Sequence, residues 1–228
     1  MPLVEESTRQ LERALDRLGR RHKRIEGLLT RPDESIERLG PIDDPLIGVY
    51  AHWVYGPHTT DGVVGKDSPL LLASNFSGTW PGLVGLLTTA ACLESVGRRA
   101  SRIWTDATDW SADEAFMARL DAWCRDGAVS YATDALHQPP PTPAAAAQRA
   151  AGVHGEFKRR RALALMLGDT SMGMINGYFG PRWLNRVGFA EHKVDQAWII
   201  ERGRSVTEKR IDDALDRAAY GWQMVAPE

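Results

Sequence analysis

Pro69-Leu-Leu-Leu-Ala-Ser-Asn-Phe76 runs directly into Ser77-Gly-Thr-Trp-Pro-Gly82, and from Gly82 an apolar stretch continues to Val96 before Gly97 stops it. The first segment reads as a buried strand, the second as a glycine-interrupted turn and the third as a helix. Pro81 suits the first helical turn, where its missing N–H would have no partner anyway. The same type of strand recurs on either side. Upstream, Pro45-Leu-Ile-Gly-Val-Tyr-Ala-His-Trp-Val-Tyr55 is apolar and β-rich and ends at Gly56-Pro57, the punctuation of a strand entering a loop. Downstream, Ala100 to Asp106 predicts a third strand, followed by Ser111-Ala-Asp-Glu114 in the form of a capping box. The helix it opens places Phe116, Leu120 and Trp123 on one face and ends at Gly127, and Ala128 to Thr133 predicts a short fourth strand. Strands that alternate with helices and are apolar throughout indicate a parallel sheet covered on both faces, an α/β fold.

Before the first strand, Leu3, Leu11, Leu15 and Leu18 mark one side of a charged segment that reads as a surface helix ending near Gly19. After the fourth, Gln138-Pro-Pro-Pro-Thr-Pro143 is a stiff connector that neither helix nor central strand can accommodate. The pattern then repeats. An alanine-rich helix from Ala144 to about Arg160 precedes the strand Ala162 to Leu167 and a second glycine-punctuated loop, Gly168-Asp-Thr-Ser-Met-Gly-Met174. A short helix at Arg182 to Val187, a strand at Val194 to Ile200 and a helix from Thr207 to about Trp222 follow. The organisation predicted is two consecutive doubly wound, Rossmann-like parallel-sheet units, a first domain over residues 1–161 and an incomplete second over 162–228.

The 228 residues carry 28 Lys and Arg against 30 Asp and Glu, a net charge of −2, which gives no cationic field for nucleic acid. The longest apolar run, Leu83 to Leu93, is shorter than the roughly 20 residues a membrane span needs. Cys92 and Cys124 have neither C-x-x-C nor metal-type spacing and read as small buried hydrophobes in a reducing compartment. A cytoplasmic protein is expected. Both glycine loops follow strands at the carboxyl edge of a sheet, where open α/β sheets bind ligands, but each reads first as a plain tight turn. His52, Trp53 and Tyr55, with His58 and Asp61 beyond, place aromatic and polar groups at a strand end. By residue type His52, His58 and Asp61 could ligate a metal, though no H-E-x-x-H or comparable spacing supports them. Trp53 could present a flat apolar face to a polar ligand or pack in the core. Phe157-Lys-Arg-Arg-Arg161 reads as a solvated helix end whose cations suit the helix dipole. His22, His137, His154 and His192 are scattered, and no nucleophile, base and orienting group can be assembled.

Trp53-Val-Tyr-Gly56, Ser74-Asn-Phe-Ser-Gly-Thr-Trp-Pro-Gly82, Thr170-Ser-Met-Gly-Met174, Gly188-Phe and Val194-Asp-Gln196 occur in that order. Together they resemble the L-fucose isomerase family, which is related in fold to the L-arabinose isomerases; the resemblance runs from about Leu46 to Ile200. It implies an aldose–ketose isomerase that uses Mn²⁺, in which the metal polarises the sugar and carboxylates move protons through an enediol. In the family the metal ligands and acid–base carboxylates lie at the end of the second domain and in a third domain. The resemblance therefore implies no catalytic residue and no metal ligand in this chain, and Mn²⁺ only in a complete enzyme. Trp53 alone is carried over, matching a tryptophan that helps enclose the sugar in a neighbouring subunit's pocket. A strand-borne arginine that opens the family's first domain has no counterpart, since Met1 leads into a helix. The expected function is the N-terminal portion of such an isomerase, inactive alone and partnered by a sugar and by further copies or a separately encoded catalytic part. The alternative is a non-catalytic carbohydrate-binding or subunit-interaction module. No nucleic-acid or membrane partner is expected.

Overall fold

The computed structural model describes residues 2–78, 82–132, 139–168, 174–178 and 180–221. It is a mixed α/β structure whose short parallel sheets have three strands and two. The chain divides into two compact units, Met1–Pro139 with Thr170–Tyr178, and Pro140–Asp169 with Phe179–Glu228.

In the first unit β1 (Leu46–Tyr50), β2 (Leu70–Asn75) and β3 (Ser101–Thr105) are parallel in the order β1-β2-β3, with Val49, Ala73 and Ile103 in register. Every residue of the central β2 is buried. That explains its unbroken Leu-Leu-Leu-Ala run: with both faces covered, no position is left for a polar alternate. One face carries α1 (Pro2–Arg17) and α5 (Glu114–Asp126), whose Leu11, Ala14, Leu15, Phe116, Leu120 and Trp123 close over Leu71, Ala73 and Ile103. On the other, Leu39 of α2 (Pro32–Leu39), Val63 of α3 (Pro57–Val63) and Leu86, Ala90 and Leu93 of α4 (Gly82–Ser95) cover Tyr50, Leu70 and Leu72.

Several local expectations change. The N-terminal helix is a layer of the core, because its charged positions leave Leu11, Ala14 and Leu15 on one narrow stripe. Gly56-Pro57 opens a helix, α3, with Pro57 at its first turn. Ser111 does not cap α5. The carboxylate of Asp109 accepts the Ser111 N–H and hydroxyl, and Asp113 caps α5 by accepting from the Phe116 N–H at 3.0 Å. The expected fourth strand does not form over the described residues 128–132. There the Val129 N–H donates to Ser101 Oγ and the Tyr131 hydroxyl to the Arg102 carbonyl, so side chains occupy the β3 edge in place of a ladder.

The second unit contains α6 (Ala144–Arg160), β4 (Leu163–Leu167), α7 (Gly180–Val187), β5 (Ala190–Val194), α8 (Gln196–Arg204) and α9 (Glu208–Gly221). β4 and β5 are parallel, with Leu165 opposite His192. The helix expected to close the first domain groups here. Phe157 of α6 meets Phe189 with ring centroids 4.5 Å apart, and Gly188, at φ +97°, packs against α6 where an added Cβ would stand 3.1 Å from Phe157 Cβ. The strand expected at Val194 to Ile200 ends at Val194, since the Asp195 carboxylate accepts the Ala197 N–H and starts α8. One face of β4 is open: Leu163, Leu165 and Leu167 are 57%, 54% and 48% exposed. Among the described residues no helix is long and apolar enough to cross a membrane.

Candidate functional site

The carboxyl ends of β1, β2 and β3 form one rim, and each strand hands over to a loop tied down by a buried polar group. At the end of β1 the Tyr50 carbonyl accepts from Ser74 Oγ at 2.8 Å, and the Tyr50 hydroxyl pairs with Thr59 Oγ1 at 2.9 Å. Burial pushes that phenol above its ordinary pKa, so it stays neutral. At the end of β2 Asn75 is buried; its Nδ2 donates to the Ala107 carbonyl and its Oδ1 accepts from the Ser77 N–H, joining the loops after β2 and β3. After β3, the Thr105 hydroxyl donates to Asp113 at 2.6 Å. The burial of Asp113 is outweighed by that bond and by the Phe116 N–H, and its carboxyl is held below the usual range.

Past Tyr50 the chain leaves the sheet and bends along α4 as a short strap carrying Trp53. The helix face beneath it is built from small residues. A Cβ on Gly82 would stand 1.8 Å from the Tyr50 carbonyl oxygen, one on Gly85 2.4 Å from that of His52, and one on Gly56 2.0 Å from Cys92 Sγ. Only glycine permits such an approach. With the strap seated, Trp53 is 43% exposed, edge-on to Tyr55 at 4.3 Å between ring centroids, and Tyr55 is edge-on to His58 at 5.7 Å. The three rings form a stepped aromatic wall at the sheet's carboxyl end. His52 lies exposed beside it.

The two glycine loops are placed in part. Ser77 and Gly78 follow β2, with Gly78 at φ +86°, and residues 79–81 lie outside the described residues. In the second loop the Gly168 N–H donates to the Val194 carbonyl, and residues 169–173 lie outside. Met174–Tyr178 belongs to the first unit, where Asn176 Oδ1 accepts from the Cys92 thiol at 3.3 Å. Segments of three resemblance motifs, or their immediate continuation, thus meet on α4. Gly188-Phe and Val194-Asp-Gln196 belong to the second unit.

Other candidates take simpler roles. Cys92 is buried and Cys124 half-buried, and burial raises both thiols, which makes them packing groups. Arg159 and Arg160 pair with Glu156 at the end of α6, so the Phe157 to Arg161 cluster is a helix terminus with its own counter-ion. Among the described residues no three His, Cys, Asp or Glu side chains are grouped to hold a metal ion, and His52, His58 and Asp61 form no such set. His22 and His192 are exposed, His154 is half-buried, and His137 lies outside the described residues.

A second aromatic group flanks the rim. Phe76 is edge-on to Trp104, Trp104 stacks on Tyr131 at 5.2 Å, and the Arg119 guanidinium lies over both of the latter rings. Residue types alone did not single out Asn75, Gly85 or Arg119. For Gly85 the visible signal was Gly82 and Gly85 three apart at the start of an apolar helix, a spacing that leaves one helix face free of side chains.

What fold and site define together is an α/β protein with an aromatic wall at the carboxyl end of a parallel sheet. No known protein family matches the chain by sequence profile, and comparison with curated proteins returns no match.

Proposed function

We propose that the chain is the sugar-enclosing, N-terminal portion of an aldose–ketose isomerase of the L-fucose isomerase type. In this reading its two units belong to doubly wound, Rossmann-like domains, the second of them incomplete. The observation that carries the reading is Trp53, held half-exposed at the carboxyl end of the β1–β3 sheet by a glycine-lined helix face. An indole there offers an apolar plane to the C–H face of a pyranose or open-chain sugar, while Tyr55 braces it edge-on. The ordered motif set from Trp53 to Gln196 supports the same assignment.

In a complete enzyme Mn²⁺ would polarise the sugar's carbonyl and adjacent hydroxyl. The residues of this chain enclose and orient the sugar, and metal binding and proton transfer belong to a separately encoded catalytic part or another polypeptide segment. The protein works in the cytoplasm, among further copies of itself or beside that catalytic part. Calorimetric titration with a panel of aldoses and ketoses tests this. Saturable binding that Trp53→Ala removes is expected, with no isomerisation when Mn²⁺ is added to the purified chain alone. Turnover by the chain alone would overturn the assignment of chemistry elsewhere.

A second reading, a non-catalytic carbohydrate-binding or subunit-interaction module, is favoured by the open leucine face of β4. It predicts sugar binding and defined self-association that no catalytic partner changes.

A further inference from the structure

We propose that Gly85 positions Trp53, acting with Cys92 as a two-point seat on α4 that sets how far the tryptophan stands out from the sheet. The inference rests on the sugar-enclosing reading for its functional consequence but not for its geometry. Beyond Tyr50, the last residue of the β1 ladder, the strap to Gly56 is seated at two points by close approach: the His52 carbonyl lies over Gly85, and Gly56 lies against Cys92 Sγ. Trp53 falls between these two points, one residue past His52 and three before Gly56. A Cβ on Gly85 would meet the His52 oxygen at 2.4 Å and the Val54 N at 3.3 Å, contacts on either side of Trp53 in the backbone. Non-bonded heavy atoms settle near 3.5 Å, so the strap would retreat by about 1 Å at that point. It cannot do so freely, because the Tyr50 carbonyl is held by Ser74 and the far end by Cys92.

Cys92 also receives Asn176 from the segment 174–178, so this second seat is shared with the continuation of the other glycine loop. A thiol suits the place: it is small, buried and without charge, and its S–H reaches Asn176 Oδ1 while the sulfur fills the gap against Gly56. Loss of the sulfur would loosen both neighbours at once.

The test labels the full chain with 5-fluorotryptophan and assigns the Trp53 ¹⁹F resonance through Trp53→Phe. In Gly85→Ala the Trp53 resonance is expected to move, while those of Trp110 and Trp123, in the core on the opposite sheet face, stay in place. Cys92→Ala, which removes one atom and adds no volume, is expected to move or broaden the Trp53 resonance as well and decides the matter if Gly85→Ala does not fold. Titration with the sugar that binds the wild type best should show weakening of roughly tenfold in Gly85→Ala, the factor that about 1.4 kcal/mol of lost contact corresponds to. An unmoved Trp53 resonance in the folded variants would overturn the positioning role. If no sugar binds the wild type, the sugar-enclosing reading fails, and the resonance still decides the seat.

Discussion

Trp53 stands half-exposed because the strand before it stops at Tyr50, although the β-rich sequence continues to Tyr55. Alternation along a longer strand would have turned His52 and Trp53 to opposite faces of the sheet, both of which helices cover. Because the indole makes an exposed edge contact and fills no cavity, Trp53→Ala should change stability by less than about 1 kcal/mol, checked by urea denaturation, while removing sugar binding. Asp113 has the opposite character. Its carboxylate caps α5 and accepts from Thr105, and Asp113→Ala should cost about 1 kcal/mol in the same measurement. Its depressed pKa means the folded state favours the ionised form. This stabilisation is present above the unfolded carboxyl pKa of about 3.9 and is lost as pH falls through the lower folded value. The stability gap between wild type and Asp113→Asn should therefore shrink below about pH 4; a gap that stays constant down to pH 2 would contradict the assignment. The capping-box pattern misplaces the cap for a physical reason. Ser111-x-x-Glu114 has the right spacing, but Asp109 captures the Ser111 N–H and hydroxyl first, and Asp113 is then the nearest free acceptor.

The most apolar elements were the most legible. β2 and α4 were readable from continuous apolar runs and a glycine stop, and β1 and β3 from the same signal with frayed ends. What misled was local chemistry that fits two structures. Ala197-Trp-Ile-Ile200 has strand-forming composition, yet Asp195 caps it into α8, and α2 was hidden by its short, half-charged sequence. Packing also separates positions of identical composition. Leu72 of β2 is fully buried between α4 and the sheet, so Leu72→Ala should cost about 2–5 kcal/mol. Leu165 of β4 is more than half exposed, and Leu165→Ala should cost under about 1 kcal/mol. Equal losses by chemical denaturation would show that the face of β4 is covered in solution.

The whole molecule concentrates its packing in the first unit, which holds both hydrophobic clusters; among the described residues α6, β4, β5 and α8 contribute no buried side chain. An isolated two-stranded sheet is marginal in water. Hydrogen exchange should accordingly protect β1–β3, α4 and α5 far more strongly than β4, β5, α8 and α9, and uniform protection would contradict this division. The parallel α/β character was legible in the alternation of strand and helix. The glycine seat that positions Trp53 was not, because it depends on which helix face a departing strand crosses, a relation between residues about thirty apart that no local pattern encodes. The balanced charge, −2 over 228 residues, fits a neutral polyol ligand better than a polyanion. The most direct measurement is a calorimetric titration of the purified chain and of Trp53→Ala with an aldose and ketose panel. Saturable binding of at least one sugar by the wild type and none by the variant is expected; no binding by the wild type, or equal binding by both, would contradict a sugar-enclosing role for Trp53.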